Sequence, residues 1–401
     1  MTIPTRERAA STVGTARGRH WILLAILLVA LNLRIGITSL GALLDLVSRG
    51  TGLAPTAAAF ATSLPVICFA AVGALGMQVT RRVGTHRGLT LAVVAITVGL
   101  TLRVLAGEGV LLVGTFLACS GIALANVLVP VLVKQHFPDH LGEVTGAYTA
   151  VMSTGAALGA ALAVPVAAST GDWRGGLGLW SLVAVAALLM WLPLHRRPDA
   201  TGVRTGDFGL LRDRLAWWVT LVFATQSLLA YVVMSWLPSI YADAGFDDRQ
   251  SGLLLAGSIL IGVPAYFVAP RLATRLRSQG HLIAGLTGLF ATGMVGLLLA
   301  PTAGAWLWAA LIGVGGSVFP VALALFGLRT RTASDTAALS TMAQSIGYLL
   351  AAAGPFAVGL MREASGSWAL PIGLLLATCL VQVAAGYLAG RPLLVRPSRS
   401  E

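Results

Sequence analysis

The chain has 401 residues, of which 57% are hydrophobic and only 10% are charged. Soluble domains carry about 25% charged residues, so this composition excludes a soluble globular protein and indicates a polytopic membrane protein. The apolar runs are long and helix-like, without the short alternating segments of an outer-membrane β-barrel. The fold class predicted from the sequence is therefore an all-α membrane protein.

Twelve apolar runs predict twelve transmembrane helices in two halves. A basic tail of residues 1–20 precedes the first half (21–194), a polar linker covers 195–214, and a second half (215–390) is followed by a tail of residues 391–401. The approximate spans are 21–46, 57–79, 89–105, 110–133, 143–168, 176–194, 215–241, 251–273, 281–300, 304–328, 336–361 and 368–390.

The net charge of +12 is interpreted as a topology signal. The tails and the loops on their side of the membrane hold 21 of the 27 Lys and Arg residues, whereas the opposite loops hold 5. Basic residues concentrate on the cytoplasmic side of membrane proteins. We therefore expect both termini in the cytoplasm and a lipid bilayer as the surrounding partner. The charge requires no nucleic-acid partner.

The two halves repeat each other at offsets of 192 to 195 residues. Both halves have the same orientation, which predicts the parallel repeat of the major facilitator fold, with substrate bound between the halves near the midplane. The recurring pairs are Gly52 with Gly245, Ser153 with Ser345, Trp173 with Trp368, and Arg197 with Arg391.

Arg34 lies in the middle of the first span. A guanidinium near the bilayer centre costs about 2.5 kcal/mol or more, so we expect it to meet either an anion in a shared cavity or main-chain carbonyls at a helix break. Thr38 lies one turn further along the same helical face. Asp45 lies further still in the same direction, and it is either a gate residue at the outer mouth or an ordinary interface residue.

Spans four and five each offer one polar candidate. Asn126 is the only strongly polar residue inside span four, and Pro130 removes the main-chain donor that would bond to its carbonyl. This polar group serves either a substrate or a neighbouring helix. Tyr148 in span five is a candidate lining residue. The small-residue spacing beside it predicts close helix packing at Gly146, Gly155 and Gly159.

Spans seven and eleven carry the richest polar stripes of the second half. We expect these stripes to face the cavity. The alternative is that they form a polar zipper between helices, and Trp236, which lies near a span end, is alternatively an anchor at the membrane interface. The stripe of span seven comprises Gln226, Ser227, Tyr231, Ser235, Trp236 and Pro238, and that of span eleven comprises Ser340, Gln344, Tyr348 and Pro355.

The sequence argues against ATP-driven transport, metal or cofactor binding, a dedicated proton relay and enzymatic catalysis. No phosphate-binding GxxxxGK[ST] loop occurs, which argues against ATP-driven transport. The three cysteines lie inside spans without CxxC spacing, so no metal and no cofactor is expected. All six His are assigned to termini or loops, and no acidic residue lies at mid-depth, which disfavours a dedicated proton relay. An enzyme would need a nucleophile–base, paired-carboxylate or metal constellation at depth, and none is predicted.

A set of short motifs spans nearly the whole chain. In order they are Asn32-Leu33-Arg34, Ser63-Leu64-Pro65-Val66, Gly121 to Asn126-Val127-Leu128 with Pro130, Val133-Lys134 with Phe137-Pro138, Thr145-Gly146-Ala147-Tyr148, Trp173-Arg174, Gln226-Ser227, Trp236-Leu237-Pro238-Ser239-Ile240, and Ala343-Gln344-Ser345 with Gly347-Tyr348 and Gly354-Pro355. Together they resemble the cyanate and 2-nitroimidazole transporter family of the major facilitator superfamily. The resemblance implies a bacterial inner-membrane secondary transporter of small, mostly polar or anionic compounds, and it adds Asn32 to the candidate site.

The loop after the second span departs from the superfamily pattern. That loop usually carries an acidic residue before Arg-x-Gly, but here Arg81 stands in its place, followed by Arg82-Val83-Gly84. Arg81 and Arg82 remain candidate gating residues. A switch that depends on the usual acid-to-helix contact is not expected.

The predicted function is a secondary transporter that moves a small anionic or polar solute, such as a cyanate-like compound, by alternating access as a monomer. In this prediction Arg34 holds the negative group. The neutral hydrogen-bonding groups are Asn126, Gln226 and Gln344, and the lining tyrosines are Tyr148, Tyr231 and Tyr348. The alternative is efflux of drug-like or nitroaromatic compounds such as 2-nitroimidazole, which would depend more on aromatic walls than on Arg34.

Overall fold

The computed structural model describes residues 16–52, 55–105, 107–195 and 208–395, and within these ranges the regular structure is entirely helical. The predicted tails and linker therefore lie largely outside the described residues. The α-helices are α1 (Ala16–Thr51), α2 (Pro55–Val83), α3 (Thr85–Leu102), α4 (Glu108–His136), α5 (Leu141–Thr170), α6 (Trp173–Trp191), α7 (Arg214–Asp243), α8 (Asp248–Arg275), α9 (Gly280–Leu299), α10 (Ala305–Gly315), α11 (Val318–Leu328), α12 (Ala333–Ser365) and α13 (Ala369–Ala389).

The described helices fit the predicted twelve spans. By length and composition, eleven segments of the described chain can cross a membrane. One of these segments, Ala305–Leu328, contains both α10 and α11, which are separated only by Gly316 and Ser317. α2 lies where the remaining span, 57–79, is predicted. The all-α fold of twelve spans is confirmed.

The helices extend beyond the apolar runs, and this corrects two assignments. Polar caps outside the apolar segment begin α8 and α12, through capping boxes at Asp247 and Thr332. His20, His86, His136 and His281, which the sequence assigns to the termini or loops, lie within helices, and the Nε2 atoms of His86 and His136 are 3.1 Å apart. Arg103, which the charge count placed in a loop, is a buried residue at the C-cap of α3.

The two halves show the same packing. α1 packs on α5 and α6 in the first half, and α7 packs on α12 and α13 in the second. Gly52 after α1 and Gly245 after α7 both have positive φ, of 73° and 101°, which a residue without a Cβ adopts at no steric cost. Between the halves, α5 packs on α8 and its counterpart α12 packs on α2. The same contact thus occurs twice, as a pseudo-two-fold axis requires.

Close approach of helices depends on the glycines predicted for it. A Cβ at Gly155 of α5 would lie 2.4 Å from the Leu31 carbonyl oxygen of α1, and one at Gly146 would lie 2.3 Å from the Phe267 carbonyl oxygen of α8. These distances leave no room for a side chain. Gly155 therefore lets α5 approach α1 within its half, and Gly146 lets it approach α8 across the boundary between halves.

The halves are closed against each other on one side of the bundle. We call this side, where α6 ends and α7 begins, the linker side, and the opposite one the far side. On the linker side, Lys134 Nζ donates to the Gly327 carbonyl oxygen at 2.9 Å, and Arg271 forms a 3.1 Å salt bridge with Glu143. Both contacts join the first half to the second, so they seal the linker side.

On the far side, the following polar contacts each join residues of the same half. The main-chain N–H and the guanidinium of Arg174 donate to Asp172, and these bonds lower the pKa of that carboxyl below its ordinary value. In the second half, Arg362 contacts Asp243 at 2.8 Å, and the Trp368 indole N–H donates to the same carboxylate. Trp173 and Trp368 thus lie at the starts of equivalent helices, each with an arginine over its ring.

Candidate functional site

Arg34 lies at the middle of α1 and points toward the second half. Its Nη1 atom lies 3.4 Å from the Tyr231 hydroxyl on α7, to which it donates, and its guanidinium carbon lies 5.7 Å from the centre of the Phe319 ring on α11. Among the described side chains, no carboxylate forms a salt bridge with Arg34. The guanidinium keeps its charge at any physiological pH, so this part of the site carries an uncompensated positive charge.

A cavity of about 580 Å³ extends from Arg34 toward the far side. Arg34 and Thr38 lie along its wall on α1, Tyr231 and Ser235 on α7, and Pro355 on α12. The remaining wall is mostly apolar, formed by Ile37, Leu40, Ala61, Val66, Ile122, Met234 and Leu349 among others. A volume of this size is typical of pockets for organic ligands. The cavity can therefore hold a compound with an apolar body and one charged end.

A smaller cavity of about 110 Å³ lies on the other side of Arg34. Tyr231, Tyr348 and Phe319 supply aromatic walls, and Gln226 lies at its edge. The ring centres of Tyr231 and Tyr348 are 6.2 Å apart in an edge-to-face arrangement. Arg34 and Tyr231 line both cavities, so a ligand in either one can reach the guanidinium.

The linker-side floor of the site is a set of hydrogen bonds between α4 and α12. Gln344 Nε2 donates to the Asn126 carbonyl oxygen at 2.9 Å and to Ser340 Oγ at 2.8 Å, and Ser340 Oγ donates to the Val127 carbonyl oxygen at 3.3 Å. Neither Asn126 nor Gln344 lines the two cavities in this conformation. Ser340 and Gln344 of the α12 stripe therefore form an interhelical zipper in this conformation, whereas Tyr348 and Pro355 of the same stripe line the cavities.

Three other predicted residues lie away from both cavities. Asn32 faces α6 and donates to the Leu28 carbonyl oxygen at 2.9 Å, because two residues along a helix turn the side chain about 200° from Arg34. Trp236 donates to the Pro355 carbonyl oxygen at 2.9 Å and packs on Trp368, both within its own half. Tyr148 is buried in the core, and its hydroxyl has no hydrogen-bond partner among the described atoms.

Gln226 lines the small cavity and also forms hydrogen bonds within the second half. Its Nε2 atom donates to the Gly316 carbonyl oxygen between α10 and α11 at 3.3 Å, and its Oε1 atom accepts from Gln382 at 3.1 Å. Gln382 also donates to Thr287 Oγ1 at 3.0 Å. This network holds α7, α9 and α13 around the small cavity, so Gln226 is fixed in position.

The proposed gating residues fall mostly outside the described side chains. The side chains of Asp45 and Arg81 are not among those described, and their gating role stays a prediction. Arg82 is an exposed residue at the linker-side end of α2. It lines neither cavity.

Sequence reasoning missed Arg103 and the phenylalanines of the site. Arg103 lines the large cavity although it lies at the end of α3, and its place near a span end gave no sign that it points inward. Phe319 follows the break between α10 and α11, which the continuous apolar run 304–328 does not reveal. Phe69 of α2 packs on Tyr348 with ring centres 4.7 Å apart.

Comparison with known proteins agrees with this architecture. The Major Facilitator Superfamily profile matches residues 22–355. The chain belongs to the major facilitator superfamily. The 2-nitroimidazole transporter of Escherichia coli (strain K12) is 35% identical over 391 residues, which cover 96% of this chain and 99% of that protein. The cyanate transport protein CynX of the same organism is 27% identical over 351 residues, covering 86% and 91%. These relatives confirm the family that the motifs predicted.

Comparison with solved structures gives the same fold. The structure of the proton:xylose symporter XylE, of the same superfamily, superposes with a TM-score of 0.76 over 92% of this chain and 94% of that one, at 15% identity. At that identity the likeness concerns the fold alone. Superfamily and fold are those of multi-pass transporters that bind small-molecule substrates within the membrane, and they point away from an enzyme.

Proposed function

We propose that this transporter moves a small organic anion across the bacterial inner membrane by alternating access, with the anionic group bound at Arg34. The observation that carries the proposal is a permanently charged guanidinium at mid-depth, lining both cavities, without a carboxylate partner among the described side chains. An uncompensated cation in a low-dielectric site is costly. A bound anion removes that cost, and only while it is bound.

The cavity supports an anion with an apolar body. A cavity of about 580 Å³ is much larger than a triatomic anion requires, and apolar side chains form most of its wall. The planar fork of Arg34 suits the two oxygens of a carboxylate. The Tyr231 hydroxyl and the Phe319 ring beside it suit the edge of an aromatic body. A small aromatic carboxylate combines these features.

The linker side is the cytoplasmic side in this proposal. It carries the basic tails and loops that the positive-inside rule assigns to the cytoplasm. The contacts that close the linker side and the cavity that extends toward the far side then correspond to an outward-facing state. Transport as a monomer requires only the two halves of one chain, since both contribute walls to the cavity.

A specific observation also favours a neutral nitroaromatic substrate as a second candidate. A nitro group, like a carboxylate, presents two coplanar oxygen acceptors, so Arg34 can donate to either. Five of the described aromatic side chains line the small cavity, and the 2-nitroimidazole transporter is 35% identical to this chain. The two candidates differ in the charge of the ligand that Arg34 meets.

The test is the thermal stability of the purified protein with benzoate, cyanate, nitrate and 2-nitroimidazole, measured for the wild type and Arg34→Ala. We expect benzoate to raise the melting temperature of the wild type, and to raise that of Arg34→Ala much less at the same concentration. A response to 2-nitroimidazole alone would favour the second candidate. Arg174→Ala removes an exposed far-side arginine outside both cavities, so it serves as the control and should respond like the wild type.

A further inference from the structure

Part of the large cavity lies within the first half, where α1, α4 and the end of α3 meet. Gly36, Arg103, Thr115 and Cys119 line it there. A Cβ at Gly114 would lie 2.6 Å from the Arg103 main-chain nitrogen, so α4 and the end of α3 are in direct contact at this level. This wall is distinct from the part of the cavity that faces the second half at Tyr231.

Arg103 is a second buried cation on the cavity wall, with only 1% of its surface exposed. Its Nη1 atom donates to the Gly36 carbonyl oxygen at 2.6 Å and its Nη2 atom to Ser39 Oγ at 3.2 Å. Among the described residues, its Nε–H has no hydrogen-bond partner and no salt bridge involves it. The two bonds to α1 fix the guanidinium through its two terminal nitrogens and leave the buried Nε–H unused.

Thr115 lies on the same wall, is 3% exposed, and also has an unused donor. Buried threonines on helices commonly donate to the carbonyl one turn back, as Thr90 and Thr97 do here at 2.9 and 2.8 Å. Thr115 Oγ1 has no such partner among the described atoms. A buried donor left unpaired is destabilising, so two of them on one cavity wall indicate a ligand with hydrogen-bond acceptors.

We propose that Arg103 and Thr115 form a second anion subsite, which takes the carboxylate of the same organic anion before it moves to Arg34. This inference rests on the proposed function. The Nε–H of Arg103 and the hydroxyl of Thr115 supply the donors, and the charge of Arg103 selects an anion. Gly36 and Ser39, which hold Arg103, lie about 3–8 Å further along α1 than Arg34. The subsite therefore lies between the far side and the central site.

The experiment measures equilibrium binding of radiolabelled benzoate to the purified full-length protein. The variants are Arg34→Ala alone and Arg34→Ala combined with Arg103→Gln or with Thr115→Val. The matched control combines Arg34→Ala with Arg329→Gln. Arg329 is also a buried arginine that donates to a main-chain carbonyl, that of Ala389 at 2.8 Å, and it lines neither cavity. Burial lowers its pKa to about 10, so it too is charged at neutral pH.

The expected result is that Arg34→Ala keeps one weaker saturable component. Arg103→Gln removes that component, Thr115→Val weakens it about tenfold or more through loss of one hydrogen bond to a charged group, and Arg329→Gln leaves it unchanged. Thr115→Val preserves side-chain volume, so it tests the subsite even if Arg103→Gln does not fold.

Other outcomes separate this inference from the proposed function. Loss of all saturable binding in Arg34→Ala, with binding intact in the wild type, would overturn the subsite and leave the proposed function standing. Residual binding that is insensitive to both Arg103→Gln and Thr115→Val would also overturn it. Wild-type affinity in Arg34→Ala that disappears with Arg103→Gln would support the subsite and contradict the role of Arg34. A wild type without saturable benzoate binding would overturn both.

Discussion

The side-chain amide of Gln344 donates a 2.9 Å hydrogen bond to the main-chain carbonyl of Asn126, across the boundary between the two halves. Pro130, one turn further along α4, has no N–H to give that carbonyl. A proline in one half thus creates the acceptor that a glutamine in the other half uses. Together with the Ser340 bond to Val127, this contact forms the linker-side floor of the cavity.

Breaking this floor should shift the transporter toward a state open on the linker side. Gln344→Leu removes a neutral hydrogen bond worth about 1 kcal/mol, which corresponds to about fivefold in the equilibrium between states. The measurement is the maleimide labelling rate of Ala338→Cys in a background without the three native cysteines. Ala338 is a buried residue of α12 about 9 Å on the linker side of Gln344, and its labelling rate should rise several-fold.

Gln382→Leu is the matched control for that experiment. Gln382 is also a buried glutamine, but its bonds to Gln226 and Thr287 stay within the second half. It should leave the labelling rate of Ala338→Cys unchanged. Equal rates in Gln344→Leu and Gln382→Leu would show that the Gln344 contact does not hold the floor closed.

The Glu143–Arg271 pair should contribute modestly to the same closure. Both side chains are more than a third exposed, at 44% and 38%, so solvent screening limits the interaction. Glu143→Arg should therefore raise the Ala338→Cys labelling rate about fivefold at most. Adding Arg271→Glu restores opposite charges and should return the rate toward the wild-type value. A double variant no slower than Glu143→Arg would argue against the pair.

Gly155 should tolerate no side chain, because a Cβ there would lie 2.4 Å from the Leu31 carbonyl oxygen. Gly155→Ala should lower the melting temperature in detergent by several degrees, as overpacking costs about 1–3 kcal/mol. Gly178→Ala is the control, since no heavy atom outside its own helical surroundings lies within 4 Å of the added Cβ. Equal melting temperatures of Gly155→Ala and Gly178→Ala would contradict the close packing at Gly155.

Substitutions of Tyr231 and Trp236, which both lie on α7, should distinguish a residue that supports ligand binding from one that supports helix packing. Tyr231→Phe removes the hydroxyl that accepts from Arg34, and we expect benzoate affinity to fall about threefold to tenfold. Trp236→Phe removes a bond to Pro355 within the second half, so it should lower thermal stability and leave affinity unchanged. The reverse pattern in a binding titration would contradict the assigned roles.

The sequence predicted the fold and several of the residues that line the cavities, because local rules govern both. Apolar run lengths predicted the spans, and helical periodicity placed Arg34, Thr38 and Tyr231 on surfaces that the structure brings together. Pro130 predicted that the Asn126 carbonyl would lack its helical donor, but it could not predict Gln344 as the partner. The register between α4 and α12 depends on how the two halves pack together.

Other residues depend on tertiary context that a span boundary hides. Arg103 was assigned to a loop because it lies at a span end, although it turns inward to α1. Asn32 was included on motif resemblance, but the 200° that separates it from Arg34 on an ideal helix already placed it on the opposite face. The role of Gln344 depends on the conformation, since a residue that closes the linker side now would be uncovered when that side opens.

The most direct test is uptake of radiolabelled benzoate by proteoliposomes that contain wild type, Arg34→Lys or Arg34→Ala. If Arg34 binds the anionic group, Arg34→Ala should lower uptake about 10- to 100-fold, as expected for loss of a hydrogen-bonded charge contact. Arg34→Lys should recover little of it, because Lys keeps the charge without the planar fork. Wild-type uptake by Arg34→Ala proteoliposomes would contradict the account.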